Sequence, residues 1–273
     1  MVDNYRNSGQ MSVHLKGMVI YMDEALFQKA RSETLQNRTC DGIGTLGEKT
    51  IHAVLKRYYE PNGDNHEVSL GGFVADAVGE NGIFEIQTRQ FEKLRPKLNA
   101  FLPLCRVTVV YPVVVRKRLN WIDPQTGEIV QQGKWFRCGS RYSFFSELYR
   151  IKPFLKNPNL FFRVVELTAE EYRLLNGYGA QKKNRAEKYD RIPESMQQEW
   201  VLNQPGDFAV FLPENLPDQF DSAVFALHAH IPRSVGQVAL NILTELQVVE
   251  RIGKRGNAHL YALPCISQQK TVK

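Results

Sequence analysis

At 273 residues, with 43% apolar and 23% charged side chains, the chain can form one large domain or two modest ones, each with a buried core. No apolar run approaches the roughly 20 residues of a bilayer span, the polar residues 1–12 read as neither signal nor transit peptide, and four scattered cysteines without a CxxC pair argue against a zinc site or disulfide framework and for a reducing cytoplasm. The net charge of +6 invites an anionic partner, and it is concentrated: residues 116–212 hold 16 Lys+Arg against 11 Asp+Glu, while residues 1–115 balance at 13 each and residues 213–273 hold 6 against 5. The clusters are Arg116-Lys117-Arg118, Arg137/Arg141, Arg150/Lys152/Lys156 and Lys182-Lys183-Asn184-Arg185.

In chain order, residues 18–21 are a short apolar strand and residues 23–35 a helix with acidic residues in its first turn. A glycine-punctuated loop over 40–47 leads to a helix over 48–59, in which Ile51, Val54, Leu55 and Tyr58 recur at helical spacing. Three short strands follow, over 66–70, 73–78 and 82–88, joined by Gly71-Gly72 and by Gly79-Glu-Asn-Gly82. Residues 89–102 return to helical periodicity, and 106–115 is a Val-rich strand of the kind buried in a sheet interior. Residues 121–132 are expected to hang off the sheet as a hairpin, 142–155 to be helical and 160–167 a strand. Thr168-Ala-Glu-Glu171 reads as a capping box opening a short helix, and residues 177–191 as an exposed polar loop. Beyond the break at Pro213-Glu-Asn-Leu-Pro217, helices over 222–229 and 232–246 lead to two strands, 248–252 and 258–263, around a basic turn Gly253-Lys-Arg-Gly256.

The chemistry concentrates on Asp76 and Glu85. Asp76 lies in one strand of a hairpin and Glu85 nine residues on in the next, so a tight turn can bring the carboxylates together. Glu85 and Gln87 share a strand face. Two hard oxygen ligands, completed by water and a substrate phosphate, suit Mg²⁺. With Gly47-Glu48 at the start of a helix, Val74-Ala-Asp76-Ala-Val and Ile83-Phe-Glu85-Ile-Gln87-Thr, residues 47–112 resemble the restriction-endonuclease-like superfamily of PD-(D/E)xK nucleases, over about a quarter of the chain. The resemblance implies an α/β fold with an αβββαβ core, Asp76 and Glu85 as ligands of Mg²⁺ (or Mn²⁺), and Glu48 as a further acid near the metal. It puts Gln87 where the family usually has lysine. Lysine places a cation beside the transition-state charge, whereas a neutral amide only hydrogen-bonds. Lys93 and Lys97 on the next helix can supply that charge from another direction. His66 and Glu67 are candidates for a second-metal ligand or a base, and His52, one turn after Glu48, reads as a partly buried structural histidine that could also face the acidic site.

Residues 218–264 resemble a winged helix-turn-helix. That resemblance implies a recognition helix presenting Arg233, Gln237 and Asn241 to DNA, with Val238, Ile242 and Leu246 turned inward, and a wing placing Lys254 and Arg255 on backbone phosphate. The resulting expectation has three segments: a nuclease-like domain over 1–212 (core 47–115, basic insert-rich section 116–212), a winged-helix domain over 218–264 and a flexible tail over 265–273. The function expected is a cytoplasmic, Mg²⁺-dependent DNA endonuclease of restriction, repair or phage defence. Glu48, Asp76, Glu85, Gln87 and Lys97 would form its site, with a homodimer where both strands are cut. The alternative is a non-catalytic nucleic-acid-binding or regulatory protein that keeps the nuclease fold.

Overall fold

The structure is a computed structural model and describes residues 10–15, 18–40, 50–177 and 186–264. Its strands are β1 Gln10–Leu15, β2 Met18–Asp23, β3 His66–Leu70, β4 Phe73–Gly79, β5 Gly82–Ile86, β6 Val107–Ile122, β7 Ile129–Gln132, β8 Phe136–Arg137, β9 Leu160–Leu174, β10 Glu187–Leu202, β11 Glu250–Arg255 and β12 Ala258–Ala262. Its helices are α1 Glu24–Cys40, α2 Thr50–Tyr59, α3 Arg95–Phe101, α4 Phe144–Arg150, α5 Ser222–Ala229 and α6 Arg233–Glu245.

One mixed sheet organises the chain, in the order β10-β9-β6-β5-β4-β3. The β3-β4-β5 meander and the β9-β10 pair are antiparallel, while β6 runs parallel to both β5 and β9. Val107, Val109 and Val110 of β6 are buried, as an apolar run in a covered parallel sheet must be. Helices cover both faces. Tyr59 of α2 stacks on Phe84 at 5.2 Å, whereas the next residue of β5, Glu85, is met by Lys97 of α3. Successive strand residues point to opposite faces, so α2 and α3 lie on opposite sides. Behind α3, Phe144 of α4 sits among Phe91, Tyr111, Phe162 and Phe211, all within 6.3 Å between ring centres. At the start of β5, Gly82 has φ +99°, and a Cβ there would run into the Arg106 carbonyl oxygen, so only glycine lets β5 enter beside β6.

The central strands differ in length, and this difference shapes the molecule. β5 ends at Ile86, opposite Val110. From Tyr111 to Ile122, β6 runs on with β9 on one edge, and short β7 and β8 take the other edge further along. β9 and β10 accompany it as a projecting arm. The arm corrects two expectations. Residues 168–171 do not open a helix but continue β9, and the loop expected over 177–191 gives way to strand from Glu187. Residues 178–185, which carry one basic cluster, lie outside the described residues. The physical reason is tertiary: Thr168, Ala169 and Glu171 are buried between two neighbouring strands, which overrides a local capping pattern. The Glu171 carboxylate accepts from Lys117 of β6 (2.9 Å), Arg173 of its own strand (2.6 Å) and Arg191 of β10 (2.7 Å), so it ties all three strands together.

The C-terminal helices occur as expected, and a β11-β12 hairpin follows them with its first strand shifted from 248–252 to Glu250–Arg255. Asp221 caps α5 by accepting from the Ala223 and Val224 N–H groups, and Phe220 bridges to Tyr261. The turn sits at Gly256-Asn257, which places Lys254 and Arg255 on β11 rather than at its tip. Among the described residues no helix is long and apolar enough to cross a membrane.

Burial works against ionisation of Glu171, but its three cations hold the carboxyl at about 2, below the usual glutamate value of 4.5. Its stabilisation is therefore present above pH 4.5 and lost as the pH falls through about 2. Glu171→Ala leaves three cations facing one another and should cost about 2–3 kcal/mol in urea unfolding at pH 7. The deficit should shrink on acidification.

Candidate functional site: an acidic pair bridged by a lysine

The β4-β5 ladder runs from Gly79↔Gly82 to Ala77↔Phe84 and then parts. Asp76 and Glu85 are the next residues on the two strands. Here carboxylates replace backbone pairing. The Ile86 N–H donates to Asp76 Oδ2 at 2.8 Å, and the Asp76 N–H reaches Glu85 Oε1 at 3.4 Å. The two acids therefore converge, as the hairpin spacing requires. On the other flank, Asp76 falls opposite Glu67, between the pairs His66↔Ala77 and Val68↔Ala75. Glu67 has φ +52° and turns outward to Lys56 Nζ (2.9 Å), while His66 Nε2 is 2.7 Å from the Glu60 carbonyl oxygen. Neither joins the acidic pair.

Two helices close on the pair from opposite faces. From α3, Lys97 Nζ donates to both oxygens of Glu85, at 2.8 and 3.0 Å, and lies 3.8 Å from Asp76 Oδ1. From α2, His52 Nε2 is 3.0 Å from Asp76 Oδ2, and with the carboxylate ionised the imidazole is the donor. Glu85 is only 2% exposed, while Asp76 (19%), His52 (24%) and Lys97 (25%) keep an opening to solvent. Burial and the Asp76 charge push Glu85 up to about 7, against the pull of Lys97. Burial also acts to raise Asp76, but the His52 hydrogen bond, the nearby cations and the Ile86 N–H outweigh it and leave its pKa lowered. One acid is thus held ionised while its neighbour titrates near neutrality, which is how two carboxylates in one site acquire different roles.

The other expected residues fall as follows. Gln87 bonds locally, its side-chain amide donating to the Arg89 carbonyl oxygen at 2.5 Å, so the cation beside the pair comes from Lys97. Lys93 is exposed. Glu48 lies outside the described residues, and among those described no three His, Cys, Asp or Glu side chains form a metal-ligand group by themselves. On α6, Arg233 and Gln237 are exposed. Asn241 accepts from Lys152 Nζ at 3.0 Å, and Glu245 pairs with Lys152 and Lys156, so the helix's last two turns are tied to the loop after α4. Ile242 and Leu246 are buried and Val238 partly so. His52 is the residue undervalued from sequence. Its place one turn before Lys56, on the helix face that meets β3 and β4, was the available signal.

The family model described as "Domain of unknown function (DUF8091)" matches residues 49–203. The chain belongs to that family. The matched region holds His52, Asp76, Glu85 and Lys97 and the whole projecting arm, and it stops short of α5 and α6. An uncharacterized protein of Treponema pallidum (strain Nichols) is 28% identical over 223 residues, covering 80% of this chain and 86% of the relative. No solved structure matches the chain.

Because the folded-state pKa of Glu85, about 7, lies above the usual 4.5, its contribution to stability is fully present below pH 4.5 and lost as the pH rises through about 7. A neutral isostere escapes that loss. Glu85→Gln should therefore gain on the wild type between pH 5 and pH 8, by on the order of 1–3 kcal/mol in thermal unfolding. A difference that does not change with pH would show Glu85 to be ionised throughout.

Proposed function

We propose that this protein is a divalent-metal-dependent nuclease acting on DNA, with a restriction-endonuclease-like core and a winged-helix module at its C-terminal end. The observation that carries the reading is the convergence of Asp76 and Glu85 on Lys97 at the open end of β5. The order helix, three-strand meander, helix and parallel strand, from α2 to β6, supports the fold assignment.

The donor set fits a divalent cation. Two hard carboxylates are forced together, one buried and pushed toward the protonated state by the other, and a second positive charge beside them would relieve that repulsion. Asp76 and Glu85 would hold the ion, which when bound supplies Lewis acidity toward the scissile phosphate. Lys97 places an ammonium where charge grows on the phosphoryl oxygens, the role that Gln87 cannot fill. His52 keeps Asp76 ionised and oriented. The fixed positions of these groups spare reorganisation during reaction.

One observation favours a second reading, a non-catalytic protein on the same fold: both Glu85 oxygens already receive Lys97. Two measurements separate the readings. Supercoiled plasmid incubated with the protein and Mg²⁺ or Mn²⁺ should be nicked, with Asp76→Ala, Glu85→Ala and Lys97→Ala each slower by about 10²-fold or more. Mn²⁺ should raise the melting temperature of wild type and Lys97→Ala, more at pH 8 than at pH 6 because Glu85 must lose its proton. Absence of both nicking and any Mn²⁺-dependent melting shift leaves only the second reading.

A further inference from the structure

Beyond the acidic pair, a hollow of about 1120 Å³ opens between the arm and the C-terminal helices. Arg116 of β6, Arg137 of β8 and Arg141 line it, with Glu166 and Trp200 from β9 and β10 and with His228 and His230 from the end of α5. Among the described residues none of the three arginines takes part in a salt bridge, in contrast to the three cations gathered on Glu171, and Glu166 lies near Arg137 and Arg141. Nor are they loose. Arg141 lies over the Trp200 ring at 4.9 Å and within 5.8 Å of Phe211, and Arg116 lies 5.5 Å from Trp135. Stacking fixes a guanidinium without consuming all of its five donors, and Arg141 also bonds Tyr142.

The placement of these arginines depends on one glycine. The Cys138 and Gly139 N–H groups bond to the Val115 and Val114 carbonyls, and a Cβ on Gly139 would lie 2.5 Å from the Val114 oxygen. Only glycine allows the chain to press this closely on β6, and Arg137 and Arg141 flank it. Gly139 also lines a smaller hollow of about 290 Å³, bordered by Ile51, Thr88, Lys117 and Arg191. Ile51 adjoins His52, and Thr88 follows two residues after the strand that carries Glu85. The two hollows thus share Gly139 in their walls, and the smaller one is bordered by chain neighbours of His52 and of the strand that carries Glu85. A concave wall with an excess of fixed positive charge concentrates polyanions.

We infer that this cleft binds the phosphodiester backbone of a nucleic-acid strand, with Arg116, Arg137 and Arg141 on successive phosphates. The choice of nucleic acid rests on the nuclease reading, but binding does not require hydrolysis, so the two can be tested apart. Fluorescence anisotropy with a labelled 20-nucleotide DNA, single- or double-stranded, in EDTA and at several salt concentrations reads the cleft alone. Arg116→Ala/Arg137→Ala, which removes two exposed side chains, and the triple variant with Arg141→Ala should bind at least tenfold more weakly. Each lost phosphate contact should flatten the log–log salt dependence by about 0.7–0.9. Failed nicking by the wild type together with intact binding would count against hydrolysis only. The inference is overturned if wild type shows no salt-dependent binding, or if both arginine variants bind as wild type while Lys254→Ala/Arg255→Ala does not. It is also overturned if AMP competes as well as the 20-mer, which would make the cleft a small-phosphate site. Arg141→Lys, which keeps the charge, should recover part of the affinity if charge rather than packing is responsible.

Discussion

Two carboxylates on adjacent strands share a single ammonium, and much of the architecture around β5 follows from accommodating them. Their repulsion is expressed in opposite pKa shifts, and the backbone has yielded to it: the ladder opens at Asp76, where side-chain oxygens take N–H groups that strand pairing would otherwise use. Such a break is costly in a sheet, because buried backbone donors must find partners. Here the carboxylates are those partners. The arrangement holds only while α2 and α3 stay docked on opposite faces, since each contributes one basic group. The aromatic contacts behind them, Tyr59 on Phe84 and Phe91 on Phe144, are therefore part of the site's construction.

The same logic explains why the arm is stable. β6 continues past the end of β5, so its far half needs neighbours, and β9 and β10 provide them through a carboxylate that gathers three cations. Arg116, Arg137 and Arg141, beside the end of α5, take part in no salt bridge among the described residues, with Glu166 near Arg137 and Arg141. A chain with an overall excess of positive charge has thus tied cations to an anion in one part of the arm and left three arginines without a salt bridge, among the described residues, in another. A purely structural use of arginine would not predict that division.

The meander was legible because its strands are short and joined at Gly71-Gly72 and between Gly79 and Gly82, so local and tertiary preferences agree. The strand over 66–70 falls on β3, and the helices over 222–229 and 232–246 fall on α5 and α6 with at most a residue's difference. The arm was legible only at its base, where the strands over 106–115 and 160–167 fall on β6 and β9. Glu170, Glu171, Arg173 and Arg191 look like solvent-facing charges in sequence, and only pairing across three strands turns them into strand interior. Similarly, Asp76 and Glu85 were visible as a spacing and Lys97 as a charge on the next helix, whereas the contact of His52 with Asp76 depends on α2 approaching from the other face.

The C-terminal helices can now be given a narrower role. Lys152 and Lys156 bind the end of α6 through Asn241 and Glu245, so that stretch is committed to the main body and its polar groups are engaged. What remains exposed is the start of α6, with Arg233 and Gln237, and the β11 strand with Lys254 and Arg255. His228 and His230 at the end of α5 face the arginine-lined cleft, so the turn into α6 forms one wall of it. The unit outside the family-matched region is thus a wall of the cleft as much as a separate module. A nucleic acid lying in that cleft would be gripped between arm and helices, and the free end of α6 would meet it from the side.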